Sequence, residues 1–287
     1  MSNTVSAEWL HERLNHTEIV IADCRFLLGK SAAGKEAYEA GHLPGAVYFD
    51  LEQDLSDAIG VHGGRHPLPD TNQLSAKLGD AGIDESKIVV VYDDQGGAMA
   101  SRLWWILKYY GHPQVYLLDG GLSRWKSQGF ELTKEVSSVK GSTFVPQLQE
   151  GLLLDAQEVK QRLDRSDTQL IDSREEKRYL GLEEPIDRIA GHIPGAVNHF
   201  WKNAFTAEGE LKESGELKAI FHELDASKEI IVYCGSGVTA CPNVLALTEA
   251  GFTNVKLYGG SWSDWVSYPD NPIETGTGKA ERRGKEQ

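Results

Sequence analysis

Cysteine is scarce in this chain of 287 residues: there are three, Cys24, Cys234 and Cys241. An odd number, so widely spaced, is not a disulfide framework, and at least one thiol is expected to be free. Long apolar runs are missing too. None approaches the ~20 residues needed to span a bilayer. The N-terminal stretch MSNTVSAEWLHERLN lacks a basic region followed by an apolar core, so no signal peptide and a cytoplasmic location are expected. Basic residues are outnumbered, 29 Lys and Arg against 43 Asp and Glu, for a formal net charge of −14. That balance argues against nucleic acid or an acidic membrane surface as partner. A small anionic substrate would have to be drawn in by a local cluster of Arg or Lys.

What is present repeats itself. The first half contains 40-AGHLPGAVYF-49 and the second 190-AGHIPGAVNHF-200. Ahead of each lies an apolar run ending in an acid, 19-IVIADCR-25 and 169-QLIDSR-174; behind each comes another, 88-IVVVYDDQGG-97 and 230-IIVYCGSG-237. Each half closes on a short strand and a Trp, 115-VYLLDGG-121 and 255-VKLYGG-260 preceding Trp125 and Trp262. Duplication of one domain is the direct reading. It divides the chain into a first domain at 1–133, a polar, aperiodic linker at 134–151, a second domain at 152–276 and a charged flexible tail at 277–287.

The runs IVVVY and EIIVY are apolar at every position, as strands buried on both faces are. Between them lie segments of helical period, with Ser6, Asp70 and Asp155 placed as caps. Strands alternating with helices predict an α/β fold, each half a parallel sheet with helices on both faces. Sites in such sheets lie at the carboxyl ends of the strands. Cys234 ends a strand, and Gly235, Ser236, Gly237, Val238, Thr239 and Ala240 follow before a helix expected over 239–250. Two glycines among small residues let successive N–H groups turn inward as an anion nest, to which the helix N-terminus adds its partial positive charge. A thiolate is the favoured form at such a focus and is a ready nucleophile. The matching position in the first half is Asp93, so the site is not duplicated.

These features resemble tandem rhodanese domains, and nearly the whole chain is similar to sulfurtransferases of the thiosulfate and 3-mercaptopyruvate type. GHLPGA, GHIPGA, GGLSRW, GGSWSDW and above all CGSGVTAC carry the likeness. The resemblance implies that Cys234 attacks the sulfur of a donor, becomes a persulfide, and passes that sulfur to cyanide or to a thiol such as reduced thioredoxin. Gly235, Gly237, Val238 and Thr239 would hold the substrate and the persulfide. No cofactor and no metal are implied; the separation of Cys234 and Cys241 is not that of metal ligands.

Within the family, basic residues directly after the cysteine accompany thiosulfate. Gly235 and Ser236 stand there instead, which favours 3-mercaptopyruvate and leaves thiosulfate as the alternative. Arg178 and Arg188 match the arginines that grip the donor's carboxylate, Arg188 with an offset of a few residues. Arg174 is expected to brace Asp172, as Arg25 does beside Asp23. The mercaptopyruvate type also implies a Ser–His–acid relay. Ser236 and His66 match two members; the third falls at Glu52 where the family has Asp, with Asp50 as its replacement. His42 and His192 recur in both halves and are read as structural. A cysteine phosphatase would need an Arg to close the loop, and Ala240, Cys241, Pro242 and Asn243 offer none. A non-enzymatic persulfide carrier or binding module is the remaining rival.

Overall fold

A computed structural model describes residues 2–137 and 139–277. The tail expected at 277–287 lies, from residue 278 onward, outside the described residues. The chain forms two units. Unit 1 holds the chain up to Asp57, Leu68–Glu150 and Ala204–Glu213; unit 2 holds Ala58–Pro67, Gly151–Asn203 and the chain from Ser214 on. Each unit therefore includes a short segment from the opposite half of the sequence.

Unit 1 contains β1 (Thr4–Val5), α1 (Ala7–His11), β2 (Ile19–Asp23), α2 (Ala33–Ala40), β3 (Val47–Tyr48), α3 (Thr71–Asp80), β4 (Ile88–Tyr92), α4 (Ala100–Tyr109), β5 (Val115–Leu118) and α5 (Gly121–Ser127). Its strands pair in the order β1-β5-β4-β2-β3, all in parallel. Ser6 caps α1 by accepting the Trp9 N–H, and Asp70 caps α3 by accepting those of Asn72 and Gln73. Every residue of β2 and β4 after the first is buried, which requires cover on both faces of the sheet.

Unit 2 repeats the plan with β6 (Leu153–Leu154), α6 (Ala156–Lys160), β7 (Thr168–Asp172), α7 (Glu176–Tyr179), β8 (Val197–Asn198), α8 (Ser214–Ile220), β9 (Glu229–Tyr233), α9 (Cys241–Glu249), β10 (Val255–Tyr258) and α10 (Ser261–Trp265). The order is β6-β10-β9-β7-β8, again parallel. Asp155 and Glu158 form a capping box on α6. Trp262, Trp265, Tyr233 and Tyr258 fill the core on one side of this sheet. Among the described residues no helix is long and apolar enough to cross a membrane.

The repeated histidines hold the same local contact in both units. His42 Nδ1–H donates to the Tyr38 carbonyl at 2.7 Å and His192 Nδ1–H to that of Tyr179 at 2.8 Å. Each ring stacks on that same tyrosine. At the ends of β2 and β7, Arg25 and Arg174 fold back onto Asp23 and Asp172, with 2.6 Å Nη2 to Oδ2 contacts in both. These buried pairs fix the start of the loops that leave the carboxyl edge of each sheet.

Candidate active site

Cys234 follows the last residue of β9, in the middle of the unit 2 sheet. All three cysteines are free thiols, and all are buried. The Gly237 N–H donates to Cys234 Sγ at 3.2 Å, and Gly237 reaches this orientation at φ 79°, in the region glycine enters without steric cost. Val238 is buried and Thr239 half-buried on the same loop. The helix begins at Cys241 rather than at 239, with Pro242 in its first turn. Proline suits that turn because its missing N–H would have had no intrahelical acceptor. The Cys241 thiol turns back to donate to the Gly237 carbonyl at 3.3 Å, so it serves the loop's shape.

The same loop in unit 1 closes on a carboxylate. Asp93 stands where Cys234 stands, and its oxygens accept the N–H groups of Gln95, Gly97, Met99 and Ala100 at 2.7–2.9 Å. Burial raises the Asp93 carboxyl above its usual pKa, while those four N–H groups act in the opposite direction. The loop is thus built to turn its amides onto an anion, and in unit 1 it carries that anion itself.

Two guanidinium groups lie against the first loop residue. A Cβ placed on Gly235 would stand 2.9 Å from Arg65 Nη2 and 3.5 and 3.6 Å from the Nη2 and Nη1 of Arg178. Glycine here leaves the space that the arginines fill. Asp187 bridges them: Arg178 Nη2 donates to its Oδ2 at 3.0 Å and Arg65 Nη1 to its Oδ1. Arg178 also forms a two-pronged pair with Glu184, at 3.0 and 2.7 Å, and Glu184 reaches Arg174 at 3.2 Å. Burial alone would raise the Glu184 carboxyl, but Arg178 and the N–H groups of Asp187 and Ile186 outweigh it and hold the pKa below the ordinary value.

Ser236 and His66 meet. Ser236 Oγ lies 2.8 Å from His66 Nδ1, both buried, and His66 belongs to the segment that joins unit 2. Glu52 lies exposed in unit 1, and its N–H donates to Asp50 Oδ1 at 2.8 Å. Asp50 is buried and accepts Tyr48 OH at 3.1 Å. Arg188 is exposed and donates to the Val266 carbonyl. It lines a cavity of 370 Å³ with Arg65, Asp187, Ser263 and Ser267. Cys234 is not in that cavity's wall, but Arg65 and Asp187 serve both the cavity and the loop. Nothing in the local sequence announces Asp187 as a bridge. Its sole local signal is its place between Glu184 and Arg188 in a charged stretch.

The family model for the rhodanese-like domain matches residues 6–128 and 155–268. A relative in Pseudomonas aeruginosa, named probable 3-mercaptopyruvate sulfurtransferase, is 42% identical over 278 residues, covering 95% of this chain and 98% of that protein. Thiosulfate/3-mercaptopyruvate sulfurtransferase 2 of Arabidopsis thaliana is 32% identical over 295 residues, covering 94% and 85%. The crystal structure of SseA from Escherichia coli, a 3-mercaptopyruvate sulfotransferase, superposes with a TM-score of 0.80 at 35% identity, covering 92% of this chain and all of that one.

Proposed function

Because the chain belongs to the rhodanese-like family and is a sulfurtransferase, we propose that it moves sulfur from 3-mercaptopyruvate to a thiol or cyanide acceptor through a persulfide on Cys234. The observation that carries the donor assignment is the convergence of Arg65 and Arg178 on Gly235. With no side chain after the cysteine, the positive charge beside the thiol comes from two planar forks, which suit a carboxylate. Arg188, at the cavity these groups share, would draw the anion in from solvent. The second domain (152–276) supplies the nucleophile, and the first (1–133), before the linker at 134–151, carries Asp93 at the matching position.

The Cys234 thiolate attacks the donor's sulfur. The S–S bond forms as the donor's C–S bond breaks, and the electron pair leaves on the enolate of pyruvate. Gly235, Gly237, Val238 and Thr239 surround the sulfur, and the Gly237 N–H, 3.2 Å from Sγ, is placed to stabilise the anion before and after transfer. The Ser236 hydroxyl, backed by His66, supplies the proton that converts the enolate to pyruvate. Glu52 is proposed as the acid behind His66. An acceptor thiolate, thioredoxin being one candidate in the cytoplasm, then takes the outer sulfur and regenerates Cys234.

Incubation with 3-mercaptopyruvate should add one sulfur, about 32 Da, to the peptide bearing Cys234, and Cys234→Ser should abolish turnover. Thiosulfate with cyanide is the second reading, because the Arabidopsis relative is named for both donors. Comparing kcat/KM for the two donors on one preparation decides between them; a preference for thiosulfate overturns the donor and leaves the persulfide. A non-enzymatic carrier would show a single loading without steady-state turnover.

A further inference from the structure

Ser261 is the one non-glycine among the described residues whose backbone lies in the left-handed region, at φ 55°. An L side chain there is held against a steric penalty. The matching residue of unit 1 is Gly121, at φ 52°. The turn between the last strand and the last helix therefore demands this conformation in both units. Unit 1 meets the demand with glycine, and unit 2 places a side chain on it.

That side chain has a specific contact. Ser261 Oγ accepts the N–H of Cys234 at 3.1 Å and donates to the Tyr258 carbonyl at 2.9 Å. The two residues that follow take the next backbone groups of the loop. Trp262 N–H donates to the Cys234 carbonyl at 3.0 Å and Ser263 N–H to that of Gly235 at 2.9 Å. The contact to the carbonyl belongs to the fold, since Leu122 N–H donates to the Asp93 carbonyl at 2.9 Å in unit 1. The hydroxyl contact does not, because Gly121 has no hydroxyl.

We propose that Ser261 is a positioning residue for the nucleophile, kept in a strained conformation so that its hydroxyl can hold the Cys234 N–H. The inference rests on the reading of Cys234 as the nucleophile. Tyr233 is the last β9 residue paired with β7, opposite Asp172, so Cys234 stands just beyond that ladder. Fixing both its N–H and its carbonyl removes the freedom that remains there and aims Sγ at the Gly237 N–H. Ser261 is fully buried and acts through Cys234. Backbone strain concentrates where geometry serves function, and a small misplacement of a reacting atom is costly in rate.

Ser261→Gly relieves the strain and removes the hydroxyl, which separates folding from chemistry. Its melting temperature should stay within roughly a few degrees of that of the unaltered protein, because strain relief offsets the lost hydroxyl contacts. Its kcat/KM should fall about ten-fold, in kcat rather than KM, as expected for losing one hydrogen bond that orders the reacting group. Alkylation of Cys234 by iodoacetamide, followed by peptide mass, should slow as well. Ser261→Ala should show the same kinetic loss with a lower melting temperature. Full kcat in Ser261→Gly, or a loss that merely follows the unfolded fraction, overturns the proposal. Cys234→Ser is measured alongside. Turnover surviving there overturns the nucleophile and this inference together; turnover lost there but intact in Ser261→Gly overturns this inference alone.

Discussion

His66 Nδ1 and Ser236 Oγ lie 2.8 Å apart although 170 positions separate them in the chain. The contact forms because the segment Ala58–Pro67 belongs to unit 2. It places a titratable ring behind the one hydroxyl of the cysteine loop that stands two residues from Cys234. A serine hydroxyl alone is a poor proton donor at neutral pH; a histidine behind it can resupply the proton.

Ser236→Ala and His66→Ala should therefore each lower kcat/KM for 3-mercaptopyruvate by about 100-fold. Thiosulfate should lose much less, because its leaving group, sulfite, needs no proton on carbon. Equal losses with both donors would mean that the pair shapes the loop and moves no proton. Glu52→Gln should reduce mercaptopyruvate turnover by less than His66→Ala does, since Glu52 is exposed; an unchanged rate removes it from the relay.

Arg65→Met should raise KM for the anionic donor roughly ten-fold or more and leave kcat within a few-fold, the pattern of lost substrate binding. Arg178→Lys should behave similarly despite keeping the charge, because a single ammonium cannot reproduce a fork that already spans Glu184 and Asp187. The check is steady-state kinetics with both donors. An unaltered KM in Arg65→Met would make its approach to Gly235 a structural contact only.

In unit 1, Asp93→Asn should destabilise the protein by about 1–3 kcal/mol. An amide keeps one acceptor oxygen but turns the other position into a donor, facing N–H groups that now bond to Asp93. The urea midpoint should fall at constant slope, with the specific activity of the folded fraction unchanged. A midpoint equal to that of the unaltered protein would show that the loop does not need its resident anion.

Glu184 gives the acid limb of stability a sign. Its folded-state pKa is depressed, burial being outweighed by Arg178 and the neighbouring N–H groups. The stabilisation is complete above the ordinary glutamate pKa of about 4.3 and is lost as pH falls through the depressed value. Urea midpoints measured from about pH 6 down to about pH 3 should fall more steeply for the unaltered protein than for Glu184→Gln. Parallel curves would remove Glu184 from the acid transition.

Much of this could be read in the residues. IVVVY and EIIVY are apolar at every position and became central parallel strands; the duplicated GHLPGA and GHIPGA marked two copies of one plan. CGSGVTAC marked the loop because glycine and small side chains let backbone N–H groups line it. The start of α9 was displaced because Pro242 fits only the first turn, which moves the helix beyond Thr239. Asp187 and Ser261 were not legible. The first looks like a surface acid in a charged stretch, and the second like one more small residue in GGSWSDW.

The sequence by itself determined the setting of the proposed nucleophile, since strand, loop and helix lie within the 21 consecutive residues 229–249 and answer to local rules of conformation. The tertiary structure decided what surrounds the thiol. Arg65 comes from 170 positions before Gly235, His66 from as far before Ser236, and Ser261 from 27 after Cys234. Such contacts depend on which segment packs on which sheet edge. That is set by burial summed over the whole unit, and no periodicity in a local window records it.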